Sequence, residues 1–521
     1  MSTSVAHRNG SGAGIVNVTR NTPQNTYERN VRTLFAGLTD VVLPDVAIAD
    51  LTIDSKQARP GGAFIALQGL RSHGLNFAMS AVKAGATLVL WEPSDGIAAP
   101  EFPAHVIATA IPQLGSMLGT VADRFCGEPS RAVNVTGVTG TNGKTTTAFV
   151  LAAALSKLGK DAAYSGTLGH GRIDAVKSGT HTTPDVITVH RQIAELRDNG
   201  VTHLGIEVSS HALDQRRIAG VRVDTAVFTN LTHDHLDYHG TVEAYGAAKA
   251  RLFSWPELRH AVINVEDAFG RQLLSSPMSA CTVTLYGRAR RPEMHNTQYV
   301  IAQRVIAGAT GLRIDIESSW GNATLASRFI GDFNVDNVLA VLGVLLGDGI
   351  PMEDAIAALE QCVPPPGRME TVTAPGKPLV IVDYAHTPDA LEKALAAARR
   401  HCMGKLFCVF GCGGDRDGAK RPVMGGIAER LADVAIVTDD NPRTEDGAAI
   451  VEAIRRGMLH PERAVVERNR AAAIEQAIAL AHAGDAVLIA GKGHEDYQIV
   501  GLEKRYFSDR DVAVAALRST P

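Results

Sequence analysis

Short, wholly apolar blocks recur along this chain, each followed by a stretch with helical spacing. Between about Val46 and Ile111 the blocks at 63–67 and 87–91 flank a small helical pattern at 78–84, which reads as a small α/β domain. From Ala132 the alternation sharpens. Residues 132–138 predict a strand, 145–158, rich in Ala and Leu, predict a helix, and 204–208 and 225–228 predict strands buried on both faces. Three prolines and a glycine at 364–367 cannot continue the Ala-rich helix ahead of them. Beyond them, strands at 379–382, 406–410, 434–438 and 486–489 and a helix at 389–400 predict a second doubly wound pattern. The expected fold is therefore α/β in three parts. Residues 1–112 form a loose tail and a small α/β domain, 113–367 a central mononucleotide-binding domain, and 368–521 a Rossmann-like domain.

Composition narrows the function classes. The chain has 521 residues, 45% hydrophobic and 20% charged, so it can bury more than one core. A net charge of -4 leaves no electrostatic footprint for nucleic acid or an anionic membrane. The 6 cysteines are scattered without a C-x-x-C pair, which suits a reducing compartment. The N-terminal stretch, rich in Ser, Thr, Asn and Gly, lacks the apolar segment of a signal peptide. The longest apolar run, 338–346, is too short to span a bilayer. The expectation is a cytoplasmic protein with no nucleic-acid partner and no membrane insertion.

Residues 135–147, VTGVTGTNGKTTT, join the predicted strand to the predicted helix. Gly140 and Gly143 let backbone N–H groups curl round an anion, with Thr141 and Asn142 between them. The helix N-terminus at Thr145 and Thr146 adds partial positive charge. Lys144 would reach the outer phosphates of a nucleotide, and the Thr145 hydroxyl would face Mg²⁺. Val138 stands where the first glycine of the strict phosphate-loop form belongs.

A phosphate loop alone does not separate kinase, ATPase and ligase. Glu207, in EVSSH, and His235, in TNLTHDHLDYH, sit at predicted strand ends, where α/β sheets place ligands. Both could face the Mg²⁺ beside Thr145. Lys249, by its spacing alone, reads as an exposed helix lysine.

Taken in order, these motifs resemble the Mur ligase family, the ATP-dependent ligases that build the peptide stem of peptidoglycan. The resemblance runs from about Leu51 to the C-terminus, and GTNGKT at 140–145 matches the family's own phosphate loop. It implies that Lys249 is carbamylated and binds Mg²⁺ as an anion, so that Lys144, Lys249 and His235 form the catalytic set. It implies that ATP is also held by Asn334, Arg368 and Asp383. Ile53, Ser55, Leu70, Arg71 and Ser72 would contact the uridine nucleotide of the substrate. Thr182, Thr183, Ser209, Gln215 and Arg217 would contact its muramoyl dipeptide. The implied reaction passes through an acyl phosphate on the D-glutamyl γ-carboxylate, which an incoming amine then displaces.

The form Asp440-Asn441-Pro442-Arg443 resembles that of the family's meso-diaminopimelate-adding members. It implies an amino-acid site made of these four residues with Arg416, Gly491 and Glu495. Arg443 can grip a carboxylate through two parallel hydrogen bonds, which lysine, lacking a distal carboxylate, would leave unmade. The alternatives at this point are a lysine-adding or other Mur-type or polyglutamate-adding ligase and, from a different class, a P-loop kinase or ATPase.

Overall fold

The computed structural model describes residues 29–69, 72–179, 181–308 and 311–519. It divides into two compact units, one ending at Gly115 and the other starting at Ser116. In the first, strands Asp50–Thr52, Gly62–Ala66, Leu88–Trp91 and Ile107–Ala110 form a 4-stranded parallel sheet in chain order. Helix Ala78–Lys83 sets Ala78, Ala81 and Val82, one face at i, i+3 and i+4, against Phe64 and Val89 of that sheet.

The second unit holds a 10-stranded and a 6-stranded sheet. The centre of the larger sheet is Asn134–Thr139, flanked in parallel by His203–Glu207 and Thr225–Phe228. Ala162–Gly166 extends it on one side, and His260–Asn264, Thr282–Gly287 and Gln298–Gly308 extend it on the other. The chain crosses from Asn134–Thr139 to one side and later to the other. The carboxyl ends of the three central strands therefore open on the crevice at a topological switch point. The register puts Glu207 and Val227 both level with Val138.

Helices Lys144–Lys157 and Phe333–Gly347 cover one face of this sheet and are buried nearly all round, as their composition requires. Three antiparallel strands, Gln298–Gly308, Gly311–Ser318 and Gly321–Ser327, end the sheet and were not anticipated. In the middle one Leu312, Ile314 and Ile316 face the core and Arg313 faces out.

The smaller sheet runs Glu370–Val372, Leu379–Asp383, Ala486–Ala490, Leu406–Phe410, Val434–Val437, Val465–Val466, with only its first strand antiparallel. Its link to the central sheet is specific. His401 holds the Gly308 carbonyl through Nδ1 at 2.6 Å and accepts the Gly331 amide on Nε2 at 3.1 Å, while Arg400 pairs with Asp332 at 2.5 Å. Under the carboxyl end of Ala486–Ala490, Arg470 and Asp509 form a two-bond ion pair, both bonds 2.7 Å, wholly out of solvent. Arg470 also donates to the Ala490 carbonyl at 3.0 Å, which fixes the backbone just before Gly491.

Candidate active site

The loop after Asn134–Thr139 has the shape its glycines allow. Gly140 and Gly143 have φ of +149° and +85°, and a Cβ on either would collide with Thr229 Oγ1 or Asn337 Oδ1. The helix that starts at Lys144 has no side-chain cap, so its first amides are open to an anion. Thr141 and Asn142 donate their amides to Asn230, at 2.7 and 3.0 Å, which tethers the loop to the neighbouring strand end. Lys144 Nζ donates to the Gly140 and Thr141 carbonyls at 2.9 and 2.8 Å. Burial draws its pKa down, and the nearby Glu207 and Asp234 carboxylates oppose that.

A cavity of about 330 Å³ opens here, lined by residues of both sheets. Thr141 to Thr146, Thr182, Glu207, Asn334, Asn337, Arg368 and Asp383 all face it. Arg368 lies with its guanidinium carbon 4.9 Å from the centre of the Tyr384 ring, and its buried Nε has no hydrogen-bond partner, an unspent donor in an anion site. Asp383 accepts the Met369 and Ala385 amides at 2.8 and 2.9 Å, and burial pushes its pKa up. Asn334 is buried beneath the cavity, donating to the Ile330 carbonyl and accepting from Asn337. Asn337, ranked behind Asn334 in the same segment, is the residue against Gly143, and its Oδ1 accepts from Thr147 at 3.3 Å.

Glu207 is the hub of the site. It is 1% exposed and accepts from Thr145 Oγ1 at 3.0 Å, Tyr164 Oη at 2.5 Å, the Thr167 amide at 2.8 Å and Thr167 Oγ1 at 3.3 Å. All these donors are neutral. The Thr145 hydroxyl and the Glu207 carboxylate are hard oxygen ligands of the kind Mg²⁺ takes, so the pair fits that ion. Burial, then Glu207, raises the Tyr164 phenol pKa, so Tyr164 stays a donor to the carboxylate.

The two other expected metal-site residues make their own contacts, Lys249 with the phosphate loop and His235 with its neighbouring histidine. Lys249 is 1% exposed, which overturns its reading as a surface lysine. Its Nζ donates to the Gly140 carbonyl at 2.7 Å and lies 4.3 Å from the centre of the Tyr245 ring. Burial, reinforced by Lys144, lowers its pKa well below that of an ordinary lysine. His235, at φ +53°, packs on His211 with ring centroids 4.8 Å apart and stands 3.6 Å from Asp234. Neither His235 nor Lys249 lines the cavity.

Four of the expected dipeptide residues, Thr183, Ser209, Gln215 and Arg217, form one network at the Glu207 carbonyl. Thr183 Oγ1 donates to the Glu207 carbonyl at 2.8 Å and accepts the Ser209 amide at 3.2 Å. Arg217 donates to the Thr183 carbonyl at 2.8 Å and grips Gln215 Oε1 through two nitrogens, at 3.0 and 2.7 Å. Thr182 Oγ1 lies 3.0 Å from Thr167 Oγ1, next to the Glu207 carboxylate. In the first unit, Ile53 is 37% exposed, Ser55 opens a short 3₁₀ turn capped by Asp54, and the Ser72 carbonyl accepts the Gly69 amide at 3.1 Å. Leu70 and Arg71 lie outside the described residues.

The amino-acid set gathers at the carboxyl edge of the smaller sheet. The turn Asp440 to Arg443 follows Val434–Val437, and Arg443 sits at φ +52° with its amide on the Ile499 carbonyl at 3.1 Å. Gly501 donates back to the Arg443 carbonyl at 2.7 Å, so the hairpin Tyr497–Val500 and Glu503–Tyr506 clamps the turn. Arg443 spends one nitrogen on the Gly414 carbonyl at 2.7 Å. Arg416 is exposed on the adjoining loop, Pro442 is buried, and a Cβ on Gly491 would stand only 2.6 Å from Asp440 Oδ2. Asn441 Nδ2 donates to Glu495 Oε2 at 3.0 Å. Lys492, wholly buried beside them, was not singled out by the sequence. Among the described residues no helix is long and apolar enough to cross a membrane.

Comparison with known proteins agrees with this geometry. Residues 47–124 match the Mur ligase family catalytic domain, 138–345 the Mur ligase middle domain, and 367–493 the Mur ligase glutamate ligase domain. The chain is 50% identical over 485 residues to a UDP-N-acetylmuramoyl-L-alanyl-D-glutamate–2,6-diaminopimelate ligase of Xanthomonas oryzae pv. oryzae, covering 92% of this chain and 96% of that one. It is 46% identical over 473 residues to the Pseudomonas aeruginosa protein of the same name, covering 91% and 96%. A solved structure of a ligase of that name superposes with a TM-score of 0.70 at 32% identity, covering 94% of this chain and 99% of that chain. A Mycobacterium tuberculosis folylpolyglutamate synthase shares the fold at a TM-score of 0.57 and 18% identity, covering 77% and 94%. Three domain matches in chain order and near-full-length relatives at these identities place the chain in the Mur ligase family of ATP-dependent, amide-forming ligases.

Proposed function

We propose that this enzyme joins meso-diaminopimelate to the D-glutamyl γ-carboxylate of UDP-N-acetylmuramoyl-L-alanyl-D-glutamate, with ATP cleaved to ADP and phosphate. The observation that carries this reading is the double use of Glu207. Its carboxylate bonds Thr145 of the phosphate loop, and its carbonyl bonds Thr183 of the dipeptide network. One residue thus ties the nucleotide end to the acceptor end, which a ligase needs. The names of the near-full-length relatives point to the same substrates.

In this reading residues 1–112 hold the uridine nucleotide, through Ile53, Ser55, Leu70, Arg71 and Ser72. Residues 113–367 hold ATP and the dipeptide, and residues 368–521 hold the amine. Gly140 to Thr146, Asn334, Arg368 and Asp383 bind ATP. Thr182, Thr183, Ser209, Gln215 and Arg217 orient the γ-carboxylate for attack on the γ-phosphorus. Lys144 and Arg368 offset the negative charge that gathers there. Thr145 and Glu207 would hold Mg²⁺, with His235 and a carbamylated Lys249 in support. Bound there, the ion would screen phosphate charge.

The neutral Lys249 amine adds to CO₂ and releases a proton, which turns a buried amine into an anion. Its remaining N–H can keep the bond to Gly140. The acyl phosphate formed on the dipeptide is attacked by the amine, held by Arg416, Asp440 to Arg443, Gly491 and Glu495, and phosphate leaves. Water must be kept from that intermediate. ATP and a UDP-linked substrate suit a cytoplasmic reaction, and in this reading the enzyme acts as a monomer.

The test is phosphate release from ATP with the UDP-muramoyl dipeptide and a panel of amino acids. ADP and phosphate should form only with both dipeptide and diaminopimelate. Release without an amine would favour a kinase or ATPase, and equal use of lysine would overturn the amine assignment alone.

A further inference from the structure

Lys492 is wholly buried, yet neither the phosphate chemistry nor the expected amine contacts use it. Its Nζ donates to Glu495 Oε2 and to Asn441 Oδ1, each at 3.2 Å. Asn441 Oδ1 also accepts the Ile499 amide at 2.9 Å, and Asn441 Nδ2 closes the ring on Glu495 Oε2 at 3.0 Å. Glu495 Oε2 is thereby fixed by two donors, and the Glu495 charge is met at contact distance by a desolvated cation.

The consequence is electrostatic. A pocket with Glu495 alone would attract any ammonium. With Lys492 behind it, the longer-range field of Glu495 is cancelled, and what remains is a short-range acceptor. The distal end of diaminopimelate carries an ammonium and a carboxylate and is net neutral, so Lys492 acts on it only as on a dipole. The distal end of lysine carries a full positive charge and meets Lys492, behind Glu495, as a like charge.

Resting on the diaminopimelate reading above, we propose that Lys492 is a specificity-determining positioning residue: it pins Glu495 and cancels its field, so that the pocket rejects amino acids ending in an ammonium alone. Arg443 selects for the carboxylate, and Lys492 selects against its absence.

The test is kcat/KM for diaminopimelate and for lysine in the parent, in Lys492→Gln, which keeps a donor without charge, and in Lys492→Met. The lysine-to-diaminopimelate ratio should rise about tenfold or more in both variants, as expected for removing one like charge at this range. It should return toward the parent ratio in Lys492→Met combined with Glu495→Gln. A purely structural role would lower both amines by the same factor. That result, or an unchanged ratio in whichever single variant folds, overturns the proposal. A parent that uses lysine as well as diaminopimelate would instead overturn the substrate reading on which it rests.

Discussion

Arg443→Ala gives the sharpest test of the amine site. Arg443 is half-buried in a turn whose backbone is held from both sides by the hairpin at Ile499 and Gly501. Its φ of +52° is strained for any residue with a Cβ, so alanine inherits the same strain and the substitution isolates the side chain. One guanidinium nitrogen is committed to the Gly414 carbonyl, which leaves the rest of the fork for a carboxylate. A buried ion pair that loses one partner costs about 3–5 kcal/mol, but Arg443 is open to solvent on one side. A charge-assisted hydrogen-bond value of about 1.5–3 kcal/mol is the better scale. The loss in kcat/KM for diaminopimelate should then be about tenfold to 150-fold. Lysine has no distal carboxylate to lose and is relieved of a like charge, so its much lower kcat/KM should hold or rise, and the preference between the two should fall steeply. The KM for ATP should hold, because the phosphates bind at the other sheet. Steady-state kinetics with both amines decides the matter. Equal losses for both amines, or full discrimination kept by the variant, would mean that the pocket lies on other residues.

Three further outcomes are expected. Lys144→Ala should lose turnover by about a hundredfold or more while its melting temperature is kept, since it removes charge facing the outer phosphates; near-normal turnover in a folded variant refutes the loop assignment. Lys249→Ala should lose activity that short-chain carboxylates partly restore, and ¹³C NMR of the parent under labelled CO₂ should show a carbamate that the variant lacks. Burial holds the His260 pKa at about 4 against 6.5 when unfolded. The unfolded chain therefore binds more protons between those values, so the stability from neutral His260 is complete above 6.5 and is lost as pH falls toward 4. By pH 5 that loss is about 2 kcal/mol, so denaturant melts of the parent should weaken there and those of His260→Gln should weaken less; parallel losses would refute it.

The parallel strands were legible because burial on both faces leaves an uninterrupted apolar run, and 225–228 and 406–410 coincide with Thr225–Phe228 and Leu406–Phe410. The terminal antiparallel strands carry an equally plain signal, the alternation Leu312, Arg313, Ile314, Asp315, Ile316. Asn337 follows Asn334 by one helical turn, and that spacing could have named it. Lys249 was harder. Its amine is buried against the Gly140 carbonyl, 109 residues away in the chain, a contact that no local pattern encodes. Tyr164 and Glu207 meet across 43 residues of chain, and Lys492 and Asn441 across 51. Such pairs follow from strand order, which periodicity does not fix.

The division of labour between the sheets follows from the same strand order. Reactive groups lie at carboxyl ends of parallel strands in both, but the switch point of the larger sheet brings a phosphate-binding helix and a buried carboxylate together. The smaller sheet has no phosphate loop at its switch point. It offers instead a clamped turn with a cationic fork and a neutralised acid. Arg368 and Asp383 belong to the chain of the smaller sheet yet face the nucleotide cavity. ATP bound there would touch both parts at once, so nucleotide binding itself favours the arrangement that presents the amine to the acyl phosphate. Because Glu207 bonds both Thr145 of the phosphate loop and Thr183, that half of the proposed reaction cannot readily be varied piecemeal. The amine half hangs on separate strands and a separate hairpin. Family members can therefore change the amino acid they add without disturbing the chemistry that activates the carboxylate.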